Sequence, residues 1–154
     1  MGYSILMIDD NLADIRLVVE AFKDINFYDQ LECLYAYDGE EAISLLDAAA
    51  KTGQKLDLIL LDLNLPRIHG IEVLAYVKGH PLLNKVPVFV ISNSDYHKDI
   101  SNCSDLSADG YIQKPNDFKD LVDLASAIKK SLLSNTAIVP EILLAEYASI
   151  KAAC

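Results

Sequence analysis

The sequence lacks the features that mark several large classes of protein. Its 13 Lys and Arg residues are outnumbered by 23 Asp and Glu residues, which gives a formal net charge of −10 and a pI near 4.5. Because basic residues supply most nucleic-acid affinity, this deficit argues against nucleic acid and anionic membranes as partners. No apolar run approaches the roughly 20 residues that span a bilayer, and no basic segment precedes an apolar one at the start. We therefore expect a cytoplasmic protein without a membrane segment.

Cysteine and histidine are scarce, and tryptophan is absent. The few cysteines and histidines show neither a CxxC pair nor the spacing of metal ligands: Cys33, Cys103, Cys154, His69, His80 and His97. An odd number of cysteines without such spacing indicates neither a disulfide framework nor a zinc site. Without tryptophan, ligand binding would have to be followed by tyrosine fluorescence or NMR.

Five short apolar segments alternate with longer stretches of helical period. At 154 residues the chain has the length of one domain. Several apolar segments are apolar nearly throughout, as expected of strands covered by helices on both faces. Strict alternation of strand and helix predicts an α/β fold with a doubly wound, five-stranded parallel sheet of the common order 2-1-3-4-5. The predicted strands are Tyr3 to Ile8, Leu31 to Tyr37, Leu56 to Leu61, Val86 to Ile91 and Gly110 to Ile112.

Polar residues with helix-capping ability predict where most of the helices begin. The first helix follows Asn11, the second starts at Asp38 with Glu41 in a capping-box position, the third follows Gly70 and the fifth starts near Asn116. The fourth, between Asp95 and Ser107, is rich in Ser, Asn and Asp, which favour turns and caps over helix interiors. We expect it to be the least stable helix and the one that moves.

The last 20 residues lie beyond the predicted sheet and its helices. Residues 1–134 would form the domain, and 135–154 would be a C-terminal extension. Pro140 stands at a potential helix start, so the extension is predicted to be either an extra helix or a frayed tail.

Polar side chains end four of the five predicted strands. Asp9 and Asp10 follow the first, Asp62 the third, Ser92 the fourth and Lys114 the fifth. In a parallel sheet of this order these ends share one edge, where ligands bind. Three carboxylates there require a cation or a proton, and Mg²⁺ suits oxygen ligands and phosphate together. A carboxylate can accept a phosphoryl group, and Ser92 and Lys114 can bind its oxygens. The pattern predicts phosphoryl transfer to Asp62.

The segments around these residues resemble the receiver domains of two-component response regulators, which share the CheY-like, flavodoxin-like fold. The resemblance covers residues 3 to about 134 and rests on four segments: Ile8 to Asn11, Leu60 to Gly70, Val90 to Ser94 and Gly110 to Pro115. The Leu-Pro-Arg run and the long stretch before the fourth strand look similar to stand-alone regulators that partner bacterial phytochromes.

The resemblance implies a phosphoacceptor signalling domain rather than an enzyme, one that assists its own phosphorylation and dephosphorylation. A sensor histidine kinase, of phytochrome type in the subfamily, would phosphorylate Asp62. Mg²⁺ would be bound by Asp10 directly, by Asp9 largely through water, by Asp62, and by the backbone carbonyl of Asn64. Ser92 would move toward the phosphoryl group, and Tyr111 would then turn inward. A downstream protein target would bind the face made by the fourth helix, fifth strand and fifth helix. The resemblance leaves open whether the chain forms a homodimer.

Two departures from the family pattern and two alternative functions need testing. Asn93 stands where the family usually has a small residue, and His69 replaces a short polar residue, so phosphoryl lifetime and partner choice are in doubt. One alternative is a pseudo-receiver, an interaction module regulated without phosphate. The other is a flavodoxin-like flavoprotein, although Asp9 and Asp10 would repel a flavin phosphate, and a yellow colour on purification would identify it.

Overall fold

The structure, a computed structural model, describes residues 2–93 and 107–134. Within these residues a five-stranded parallel sheet has the order β2-β1-β3-β4-β5, as the sequence predicted. The strands are β1 (Tyr3–Ile8), β2 (Leu31–Ala36), β3 (Leu58–Leu61), β4 (Val88–Ser92) and β5 (Gly110–Gln113). The helices are α1 (Leu12–Asp24), α2 (Gly39–Thr52), α3 (Gly70–Gly79) and α4 (Phe118–Leu133), with a 3-10 turn at Tyr28–Gln30.

Alternation along the strands divides the core between the two faces of the sheet. In β1, Leu6 and Ile8 pack on the face covered by α2 and α3. Ile5 and Met7 pack on the opposite face, against α1 and α4. Burial on both faces explains why the strands are apolar nearly throughout.

Element boundaries differ from the predicted ones by a few residues. β4 begins at Val88 rather than Val86, because the Val86 amide instead bonds to the Leu83 carbonyl and Pro87 has no amide hydrogen to donate. β3 begins two residues later than predicted, β2 ends one earlier, and β5 runs one residue longer. α4 is capped by Asp117, whose side chain accepts from the Asp120 amide, and not by Asn116.

The predicted starts of α1 and α2 are confirmed, whereas α3 begins at Gly70 itself, one residue earlier than predicted, with His69 as its N-cap. Asn11 caps α1 by accepting from Ala13 and Asp14. Asp38 caps α2 by accepting from the Glu41 amide, while Glu41 reaches back to the Tyr37 amide. The predicted helix between Asp95 and Ser107, and the extension from residue 135, lie almost wholly outside the described residues.

Candidate functional site

The predicted strand-end residues meet at the carboxyl edge of the sheet. Asp9 directly follows β1 and Asp62 directly follows β3, and these two strands are neighbours. Asp9, Asp10 and Asp62 each offer a carboxylate oxygen, and the three oxygens lie within 4.8 Å of one another. Asp9 is 8 % exposed and Asp62 5 %, whereas Asp10 is exposed. The edge therefore carries a compact acidic cluster with two buried carboxylates and one exposed carboxylate.

Lys114 bridges this cluster from the far side. Its Nζ donates to Asp9 Oδ2 at 2.8 Å and to Asp62 Oδ2 at 3.0 Å. It is placed by its backbone amide, which donates to the Ser92 carbonyl at 2.9 Å and continues the pairing of β4 with β5. The side chain is 11 % exposed. A buried ammonium between two buried carboxylates is the internal counter-charge of the site.

A third partner of Lys114 is a residue that sequence reasoning missed. Asp14, in the first turn of α1, accepts from Lys114 Nζ at 2.7 Å. The available signal was its position beside Ile15, which is buried against the sheet face that α1 covers. An acidic residue in a first helical turn also suits the helix dipole, so its presence there does not by itself indicate a functional site.

The Asp62 carboxylate is oriented from its own loop. Its Oδ1 accepts from the Asn64 amide at 3.1 Å, and Asp9 Oδ1 accepts in the same way from the Asn11 amide at 2.9 Å. A side chain at Gly70 would collide with this loop, since a Cβ there would lie 2.6 Å from the Asp62 carbonyl. The glycine thus lets α3 begin directly against the segment that carries Asp62 and Asn64.

The rest of that loop is fastened to the start of α2. Arg67 has a left-handed backbone (φ 70°), and its guanidinium pairs with Asp38 and Glu40. Gly39 donates to the Pro66 carbonyl, and a Cβ at Gly39 would clash with the Ile68 backbone. His69 caps α3 by accepting from the Ile71 amide. These contacts connect the loop that carries Asn64 to the starts of α2 and α3.

The other predicted residues also lie near this edge. Ser92 is fully buried at the end of β4, and Asn93 follows it with an exposed side chain. Tyr111 is half-buried in β5 and packs against the core face of α2 and α3. The roles predicted for Ser92 and Tyr111 stay predictions, as does the effect of Asn93.

Burial controls the charge of the cluster. It raises the pKa of Asp9 to about 6, against the lowering effect of hydrogen bonds from Lys114 and the Asn11 amide. Burial also lowers the pKa of Lys114, but its bonds to Asp14 and Asp9 outweigh this and raise the pKa above its usual value. The lysine stays charged at every physiological pH, while Asp9 gains a proton under mildly acidic conditions.

We predict that divalent cations bind this cluster about tenfold more weakly at about pH 5 than at about pH 7, since a cation needs the ionised carboxylate. The effect of pH on folding stability has the opposite sign to its effect on cation binding. A carboxyl group with a raised pKa contributes stability that is present below about pH 3.8 and is lost as the pH rises through about 6. Titration of Mg²⁺ followed by NMR at both pH values measures the effect. Equal affinities would contradict it, and Asp9→Asn should remove most of the pH dependence.

The donor set fits a hard divalent cation. Three carboxylates converge, Lys114 supplies a single positive charge against them, and oxygen ligands are those that Mg²⁺ and similar ions take. In the described part of the chain, no helix combines the length and the apolar character needed to cross a membrane.

Comparisons with known proteins agree with this geometry. A model of the response regulator receiver domain matches residues 5–126. Response regulator Rcp1 of Synechocystis sp. is 34 % identical over 136 residues, which cover 87 % of this chain and 91 % of that protein.

Solved structures are similar over nearly the whole of their chains. The phosphorylated cyanobacterial phytochrome response regulator RcpA has a TM-score of 0.78 at 36 % identity, covering 88 % of this chain and 97 % of its own. The Mn²⁺-bound form of Rcp1 has a TM-score of 0.77 at 32 % identity, covering 89 % and 99 %.

Proposed function

Since this chain belongs to the response regulator receiver domain family, we propose that it accepts a phosphoryl group on Asp62 from a histidine kinase. Receiver domains are signalling domains of two-component systems rather than conventional enzymes. One observation carries the proposal. The buried Asp62 carboxylate belongs to an acidic cluster able to hold a cation, and it accepts a hydrogen bond from an ammonium able to bind a phosphoryl oxygen.

The proposed transfer is a displacement at phosphorus. An Asp62 carboxylate oxygen forms the new P–O bond, the P–N bond of the phosphohistidine breaks, and its electron pair returns to the imidazole. Lys114 and the Ser92 hydroxyl bind the oxygens of the transferred group. Asp9, Asp10, Asp62 and the Asn64 carbonyl would hold Mg²⁺, which supplies neutralisation of the phosphoryl charge.

The signal would leave the site through Ser92. Movement of Ser92 toward the phosphoryl group would let Tyr111 turn inward and change the surface that a downstream protein target binds. The relatives named for phytochromes support a phytochrome-type kinase as the partner. The proposal has four further parts. The domain assists its own dephosphorylation, forms a homodimer and acts in the cytoplasm. The chain divides into a receiver domain (1–134) and an extension (135–154).

The proposal predicts a base-labile phosphate adduct on the native chain. Acetyl phosphate with Mg²⁺ should form it, and a chelator should suppress it by at least about tenfold, because the phosphoryl charge then lacks its counter-ion. Intact-mass measurement before and after alkaline treatment detects the adduct. A chain that stays unmodified, both with acetyl phosphate and with a phosphorylated histidine kinase, would overturn the proposal in favour of an interaction module regulated without phosphate.

A further inference from the structure

Lys114 donates all of its hydrogen bonds to carboxylates, and these carboxylates have different roles in the proposed function. An ammonium has three N–H groups, and these meet Asp9, Asp14 and Asp62 at 2.7 to 3.0 Å. Asp9 and Asp62 belong to the acidic cluster, and the proposed function commits them to a cation and to the phosphoryl group. Asp14 stands outside that cluster. It is therefore the one partner of the three that neither the cation nor the phosphoryl group of the proposed function would engage.

We propose that Asp14 is a positioning residue, which tethers the Lys114 ammonium beside Asp62 when Asp9 and Asp62 are engaged. The inference rests on the proposed phosphoacceptor role. With one N–H held by Asp14, the other two are free to meet the oxygens of the incoming phosphoryl group. A preset charge of this kind lowers the barrier because it needs no reorganisation during transfer.

Packing alone does not hold the ammonium. A groove with about 60 Å³ of free volume runs beside it, lined by Leu17, Ile91 and Leu121 as well as by Asp9, Asp14 and Lys114. In that direction the lysine has space to move. Without Asp14, nothing on the α1 side of the groove offers an opposite charge among its described lining residues.

Asp14 itself is well fixed. Its backbone amide donates to the Asn11 side chain at 3.3 Å, within the cap of α1. The next residue, Ile15, is buried in the core between α1 and the sheet. The carboxylate therefore projects from a rigid helical turn, and its side chain is 30 % exposed. Rigid support of this kind is what a positioning group requires.

The test compares Asp14→Asn with Asp24→Asn, a control of the same charge at the exposed far end of α1. With acetyl phosphate, the maximal phosphorylation rate of Asp14→Asn should fall about tenfold, since an ångström of misplacement costs up to about a hundredfold. The half-saturating Mg²⁺ concentration should change by less than about twofold, because Asp14 is not among the proposed ligands. Asp24→Asn should keep both values.

A double-mutant cycle separates positioning from a structural role. In a Lys114→Met background, Asp14→Asn should slow phosphorylation no further, because its effect passes through the lysine. An equal fractional loss in both backgrounds, or a native rate for Asp14→Asn, would overturn the inference. Asp14→Ser serves as a second neutral variant if Asp14→Asn does not fold. A native chain that takes no phosphate at all defeats the proposed function first, which is a distinct result.

Discussion

Asp62→Asn is expected to remove the base-labile phosphate adduct completely, because an amide lacks the nucleophilic carboxylate that forms the P–O bond. Among the other carboxylates of the cluster, Asp10 is exposed, whereas Asp9 accepts from Lys114 and from a backbone amide just as Asp62 does. The variant therefore also tests whether Asp9 can act in place of Asp62. Intact-mass measurement after incubation with Mg²⁺ and acetyl phosphate is the readout. Asp29→Asn, on the exposed 3-10 turn, is the charge-matched control and should be phosphorylated like the native chain.

The loss cannot be ascribed to unfolding, because the charge effects of this substitution nearly cancel. At an effective dielectric near 20, removing the Asp62 charge relieves repulsion of about 3 kcal/mol from each of two carboxylates about 5 Å away. It also removes an attraction of about 5 kcal/mol to Lys114, whose Nζ lies 3.0 Å from Asp62 Oδ2. The variant should therefore unfold within about 1 kcal/mol of the native chain. An undiminished adduct on a folded Asp62→Asn would show that Asp62 is not the acceptor.

The sequence predicted the location of the site because parallel topology converts a chain pattern into a spatial one. Strand ends that are far apart in sequence share one edge, so the sequence alone predicts that Asp9 and Asp62 lie together. The ends of strands are harder to predict where backbone hydrogen bonds within a turn compete with those between strands. The Val86 amide, for example, closes a turn onto Leu83 and delays β4.

What the sequence could not give was the pairing of long side chains. The sequence predicts that Lys114 binds oxygens of the phosphoryl group, yet in the structure its three N–H groups donate to Asp9, Asp14 and Asp62. The reach of a lysine spans several strands, and no periodicity encodes its direction. The contribution of Asp14 depends on that reach, so no pattern in the sequence predicts it.

Lys114→Met should lower the free energy of unfolding by about 3 to 5 kcal/mol in the presence of a chelator, because it leaves buried carboxylates without a counter-charge. Asp9 and Asp62 are 8 % and 5 % exposed, so water screens them little. Urea unfolding with and without Mg²⁺ measures the effect. Saturating Mg²⁺ should restore most of the lost stability, since a cation bound to the folded state replaces the missing ammonium.

Lys78→Met provides a matched control for burial. The Lys78 side chain is 14 % exposed against 11 % for Lys114, and its Nζ pairs with Asp109 at 2.6 Å, away from the acidic cluster. It should also be destabilising, but Mg²⁺ should help it no more than it helps the native chain. Equal rescue of the two variants by Mg²⁺ would show that the cation acts on the whole protein and not at the Lys114 carboxylates.

Lys114→Met should also change the affinity for Mg²⁺, because the Lys114 ammonium and the cation compete for the same carboxylates. Lys114 binds oxygens of Asp9 and Asp62, two of the three carboxylates that could hold a cation. Mg²⁺ bound to these carboxylates would therefore lie close to a positive charge, whose repulsion disfavours binding by several kcal/mol at an effective dielectric near 20. Lys114→Met should bind Mg²⁺ at least about tenfold more tightly than the native chain while being phosphorylated more slowly. That opposition separates the two roles of the lysine, because a residue that only maintained the fold would weaken both.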